Sequence, residues 1–246
     1  MKNILKLLLI LTMLFSITNS YSQHIHGNLM ADQNGIINGN IPDSLLFVMN
    51  KFSNGAIYLK DGSIQSGKVN IITTTQTIWF INEKNDTLAL GNNHDVVLLV
   101  SNNTIYKRIN NSYAVLLSQN GEYSFGVVKE LNVRKPAAST PYGGTSEVAS
   151  VTEASSIVGG SGENAMHDTF TKIRSFKNAP YTLSIDPVIV KNDKIYYASK
   201  RTFKKVFKNH KSEIKEYINT HDIDFENAYQ VKLLYKYAIS LEQEKK

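Results

Sequence analysis

Short apolar runs broken by polar turns set the pattern from Gly55 to Val133. "AIYLK" gives way to Asp61-Gly62, and "SIQSGKVNI" follows. Asp-Gly between two such runs predicts a hairpin, because glycine accepts the positive φ of a tight primed turn. In the second run Ile64 and Ser66 alternate on one face, and after Gly67 the apolar positions pass to Val69 and Ile71. A glycine that shifts parity inside a strand predicts a bulge at Gly67. "QTIWFI", "DTLAL", "DVVLLV", "TIYKRI", "YAVLLS" and "EYSFGVV" continue the series, divided by "NEKND", "GNNH", "SNN", "NN" and "QNGE". Even spacing of turn residues between β-branched and aromatic runs predicts an antiparallel meander, built as a small barrel, roll or sandwich. In "IWFI", Trp79 and Phe80 must point to opposite faces, so at least one of them belongs to the core.

The pattern differs on either side. Residues 23–40, "QHIHGNLMADQNGIINGN", show no period and are expected to be loose. "IPDSLLFVMNKF", Ile41 to Phe52, is apolar enough for a short helix or strand, and strand is the expectation. From Arg134 to Asp168 the chain is Ser, Thr, Gly and Ala with few large apolar residues. Such a segment buries too little surface to offset its ordering entropy and reads as a flexible linker.

A C-terminal module, 169–246, follows. "YTLSI" and "VIVKNDKIYYA" read as strands, the second as a hairpin turning at Asn192-Asp193. "TFKKVFKNHKSEIKEYINT" predicts one helix. Phe203, Val206, Phe207, His210, Ile214, Tyr217 and Ile218 share one face of it, and Thr202 is its expected N-cap. "HDID" breaks it, and Asp224 is expected to cap "FENAYQVKLLYKYAISLEQ", whose apolar residues run almost all the way round. The short connection predicts an antiparallel helical pair. The expected class is therefore α+β: a β-meander domain over 41–133, a linker over 134–168, and a hairpin with two helices.

The first 22 residues read as a cleavable secretory signal. Lys2 and Lys6 precede the apolar run Leu7 to Ile17, and "SYS" offers small residues before a cut at Gln23. The apolar run is short for a membrane span. Of 246 residues none is cysteine. That removes disulfides, thiolate metal sites, a Cys nucleophile and the lipid anchor of a bacterial lipoprotein. The formal charge of +6 includes the two signal lysines, so the exported chain carries +4. So modest an excess describes a solvated surface rather than a nucleic-acid binder. The expected location is the periplasm or the medium.

Candidate chemistry is sparse. "GSIQSGKV", residues 62–69, fits G-x-x-x-x-G-K, but Val69 stands where a phosphate loop needs Ser or Thr, and "KVNIITTT" continues as a strand where a helix must begin. Its glycines suit a turn and a bulge. His24 and His26 sit near the expected new N-terminus, where copper chelation would need His24 itself to be first. His94, His167, His210 and His221 are scattered, and "GGSGE" approaches a nucleophile elbow only inside the linker. Asp222 and Asp224 suit capping better than acid–base work. "DSL" at Asp43 and "DTL" at Asp86 look like O-glycosylation triplets of some exported bacterial proteins. No catalytic residue, metal or cofactor is implied. Lys204, Lys208, Lys211 and Lys215 recur at i, i+4, i+7 and i+11, a stripe suited to an anionic glycan, a lipid headgroup or an acidic envelope protein.

Phe52 and Gly55, "YLKDGS", Asn70 after Gly67, "PYGG", and "FKKVFKNHKSEIKEYI" followed by "DIDF" give the chain a recognisable layout. It resembles a loosely defined group of exported bacterial proteins of unknown function. The resemblance implies the architecture and carries no activity or site. The functional expectation is a non-enzymatic envelope or extracellular interaction protein. Two alternatives stand beside it: a glycan- or peptide-processing hydrolase whose residues meet only in the fold, and a binder of a small apolar ligand in the β-domain.

Overall fold

A computed structural model describes residues 23–30, 42–133 and 178–244. The expected signal, the stretch 31–41 and the expected linker lie outside the described residues.

Among the described residues, eleven strands form one antiparallel, open sheet. They are β1 (Gln23–Met30), β2 (Ser53–Leu59), β3 (Ile64–Ile72), β4 (Thr77–Ile81), β5 (Thr87–Ala89) and β6 (Val96–Ser101). β7 (Thr104–Ile109), β8 (Ser112–Asn120), β9 (Tyr123–Val133), β10 (Asn178–Lys191) and β11 (Lys194–Tyr197) complete it. The order is β1-β10-β9-β8-β7-β6-β2-β3-β4-β5, with β11 beside the second half of β10. Among the described residues there are four α-helices: α1 (Asp43–Leu46), α2 (Lys200–Val206), α3 (Lys211–Thr220) and α4 (Ala228–Glu244). The class is α+β with a β-meander, as the apolar pattern implies. Gly62 has φ +84°, and Asn102, Asn103, Asn192 and Asp193 also have positive φ. These are the turn positions the composition marks.

The C-terminal hairpin is not a separate body. β10 is one continuous strand, where the sequence suggests two runs, and it pairs with β9 from Tyr181↔Val133 to Lys191↔Tyr123. The helices then cover Tyr123, Phe125 and Ile189 of this shared sheet. Phe203, Phe207, Ile214, Leu234 and Tyr235 are fully buried against them, each large apolar side chain contributing about 1.5–3 kcal/mol. α3 and α4 run antiparallel, as Tyr217 stacking on Tyr237 at 4.4 Å and His210 lying near Glu242 require.

Several local expectations are corrected. Residues 23–30 form β1 rather than a loose tail, because their partner, β10, is remote in sequence and the pairing is made by backbone groups. An edge strand needs no apolar alternation to be held that way. Ile41–Phe52 holds α1, not a strand. Pro42 opens it, and Lys129 Nζ donates to the carbonyls of Ser44 and Phe47, both at 2.7 Å. Gly67 sits in regular register opposite Gly55, with no bulge. The change of parity has another cause: the far half of β3 is buried on both faces. Asn70 there accepts from Met49 N–H at 3.1 Å and donates to Met49 O at 3.0 Å, which ties the segment after α1 over the strand.

The long basic helix is broken. Phe207 leaves helical geometry (φ −105°, ψ 58°), a 3-10 turn spans Lys208–His210, and α3 starts at Lys211. The break places the Phe207 ring on Tyr123, with centroids 5.0 Å apart. The apolar face still holds, since all seven of its residues are buried or half-buried. Ser199, not Thr202, is the N-cap of α2, its hydroxyl accepting from Thr202 N–H at 3.1 Å. Asn227, not Asp224, caps α4, accepting from the N–H groups of Tyr229 and Gln230. Helix α4 buries one stripe, Val231, Leu234, Tyr235, Ala238 and Ile239, and leaves Tyr229 and Leu233 exposed.

Candidate functional site

The sheet curls so that β3 and β4 face β8 and β9, and the β3–β4 turn closes one end. Leu131 N–H donates to Thr73 O at 3.2 Å. Gln76 Nε2 donates to Thr73 O and Lys129 O, and its Oε1 accepts from Tyr113 N–H. Asn93 completes the closure. Its Nδ2 donates to Gln76 O, and its Oδ1 accepts from Ile78 N–H and the Tyr113 hydroxyl. Every buried polar atom of Gln76 and Asn93 has a partner, as buried amides require.

At the opposite end of β3 the roll stays open. A half-enclosed cavity of about 490 Å³ lies there. Ile57, Val69, Phe80 and Leu90 form its apolar floor and wall. Gln65, Asn82 and Glu83 stand at its rim. Gly67 keeps it open: a Cβ at that position would meet nothing within 4 Å. Register explains the placement. Gly67 and Val69 share a face with Ile57 and Phe80, since residues two apart on a strand point the same way and Val69 pairs with Phe80. So Phe80 lines the cavity while Trp79, on the other face, is core. Asn82 fixes the β4–β5 turn beside the opening, its Oδ1 accepting from Lys84 N–H at 2.9 Å and Asp86 N–H at 2.8 Å. Neither the Gln65 amide nor the Glu83 carboxylate has a partner among the described residues.

A polar group of residues lies on the sheet elsewhere. Glu130 and Asp186 share one face of β9 and β10. Ser112 Oγ donates to Glu130 at 2.7 Å, and His24 Nε2 lies 3.3 Å from Asp186. Partial burial, then the charges of Glu130 and Asp186, push the Tyr197 phenol up to about 12. His26 Nδ1 lies 3.0 Å from Thr182 Oγ1. Beside it a smaller cavity, about 360 Å³, is lined by His26, Gly27 and Asn28 of β1 and Pro180, Tyr181 and Thr182 of β10.

The sequence-marked lysines do not form one stripe. Lys208, Lys211 and Lys215 are exposed, whereas Lys204 is half-buried on α2, before the break. Glu216 interrupts the exposed face of α3. Lys68 of the loop-like "GSIQSGKV" is a strand residue paired with Asn54 and Ile81. Ser63, not a phosphate, is held there, its N–H and hydroxyl donating to Asp61 Oδ1 at 2.9 and 2.7 Å. His94 contacts Asp95, and His221 stacks on Tyr217. His167 lies outside the described residues. Gln65, Phe80, Glu83 and Leu90 are not legible as a group in the sequence, because no local spacing links them; the one local signal is Gly67, whose place in the pattern imitates a bulge.

No family model, curated protein or solved structure matches this chain. Among the described residues no helix is long and apolar enough to cross a membrane.

Proposed function

We propose that the protein is an exported, non-enzymatic binding protein whose β-roll takes a small, largely apolar ligand. The cavity at the open end of the roll carries this reading. Its size falls in the range of small-molecule sites, with an apolar interior and a few polar groups at the mouth, which is the usual division of labour in such sites. Native mass spectrometry of the protein purified from its own cells tests it. A co-purifying mass, lost from the Gly67→Leu variant, is the expected result. A clean apo mass, with no small molecule shifting the signals of Phe80 or Leu90, would remove the reading.

A second reading, contact with an acidic envelope protein or anionic glycan, rests on the exposed Arg201, Lys205, Lys208, Lys211 and Lys215. Lys208→Glu, Lys211→Glu and Lys215→Glu together should abolish recovery of that partner in a crosslinking pull-down. Unchanged recovery would discard this surface. The hydrolase alternative has less behind it: Glu130 and Asp186 share a face, but each is already engaged by Ser112 or His24.

A further inference from the structure

Resting on the cavity reading above, we infer that the ligand enters tail first and carries a neutral or cationic polar head, not an anionic one. The apolar part of the site is its depth. Ile57, Val69 and Leu90 are each almost wholly buried, and Gly67 leaves the approach to them clear. The polar part is its mouth. Among the residues that line it, Glu83 bears the only formal charge. Lys60, close by in the chain, points its ammonium at Asp95 (3.9 Å) and does not line the opening. Glu83 is held in place without being used up. The Asn82-centred turn fixes the backbone on both sides of it, while its carboxylate has no partner among the described residues. The second unengaged group, the Gln65 amide, both donates and accepts. It suits a hydroxyl, amide or ammonium equally. A carboxylate or phosphate head would meet the Gln65 donor but also the Glu83 charge, with no cation in the lining to offset it.

Glu83 is exposed, so its effect is modest and sensitive to salt. The test uses three probes with one tail: octylammonium, octanol and octanoate. Each is titrated into the labelled protein while the amide signals of Gly67, Phe80, Ile81 and Leu90 are followed. All three should report the same site. Octylammonium should bind about threefold tighter than octanol, and octanoate about tenfold weaker than octylammonium, at low salt. In Glu83→Gln the ammonium should lose its advantage over the alcohol. Octanoate binding tightest at these signals would overturn the head-group inference and leave the cavity reading standing. If none of the three moves these signals, the cavity reading falls and takes the inference with it.

Discussion

The side-chain oxygen of Gln76 accepts the backbone N–H of Tyr113 at 3.0 Å, joining the β3–β4 turn to β8 across the closed end of the roll. The same side chain donates to Thr73 O at 3.0 Å and Lys129 O at 2.9 Å. Gln76 holds φ at +51°, a region glycine would enter with less strain. Gln76→Gly therefore separates backbone from side chain. Relief of strain alone would stabilise. Loss of three partners, left buried, should instead destabilise by about 2–4 kcal/mol. Urea unfolding decides, and a variant as stable as the parent would mean that the closure is not held by this amide.

Gly55 and Gly67 face each other across β2 and β3, yet they should respond oppositely to substitution. At Gly67 the space is open, so Gly67→Leu should raise stability by about 0.5–1 kcal/mol, as removing a strand-interior glycine does, while blocking the cavity. At Gly55 a Cβ would lie 2.7 Å from Val69 Cγ2 and 2.9 Å from Leu99 Cδ1. Gly55→Ala should cost about 1–3 kcal/mol through overpacking. Thermal melting of both variants checks the pair. A destabilised Gly67→Leu would show that the cavity is not open as described.

Alkaline pH should unfold the protein earlier than its lysines alone would. Burial raises the Tyr113 phenol, with Arg108 opposing it weakly, and Tyr197 is raised to about 12. An unfolded tyrosine ionises near 10. Above that pH the native state holds more protons than the unfolded one, so stability is full below about pH 10 and falls as pH rises toward the folded values. Lys129 works the other way. Burial lowers its affinity for the proton, so its contribution rises with pH in the window below about 10.5. Tyr113→Phe should flatten the loss above pH 10. Absorbance titration of the tyrosinates should show one late group near 12 that is missing from Tyr197→Phe; its persistence in that variant would refute the assignment.

His210 is buried to 2% exposure, and both ring nitrogens lack a hydrogen bond. Glu213 and Glu242 approach only to 3.8 Å. Replacing an unsatisfied buried polar ring by an apolar side chain of similar size is neutral or favourable. His210→Leu should leave the melting temperature unchanged or raise it. A drop of several degrees would mean that the imidazole makes a stronger link to the two carboxylates than its geometry indicates.

Much of the strand series was legible because each strand is announced locally. Asp61-Gly62, Asn102-Asn103 and Asn192-Asp193 occupy the turns their chemistry demands. What escaped was non-local. β1 carries no apolar alternation, and only β10 makes it a strand. The double-sided burial of Val69 to Ile72 depends on the segment after α1 folding over it, and it imitates a bulge in the sequence. The break at Phe207 answers to the Tyr123 ring on a distant strand, so the heptad-like spacing of Lys204, Lys208, Lys211 and Lys215 misled. The cavity was invisible for the same reason: its walls come from β2, β3, β4 and the residue after β5.

Strand β10 has a consequence for how the chain reaches its native state. His26 and Thr182, neighbours across β1 and β10, are 156 residues apart in sequence. The first of the described strands to be synthesised must therefore wait for nearly the last one. Until then β1 offers an unpaired edge, and β9, paired only with β8, lacks both β10 and the helices that cover Tyr123 and Phe125. Closing such a long loop is slow, and exposed edges of this kind recruit other chains. The protein's most dangerous moment is thus late in its synthesis, when all but the C-terminal strands and helices have been made and the sheet has no finished margin.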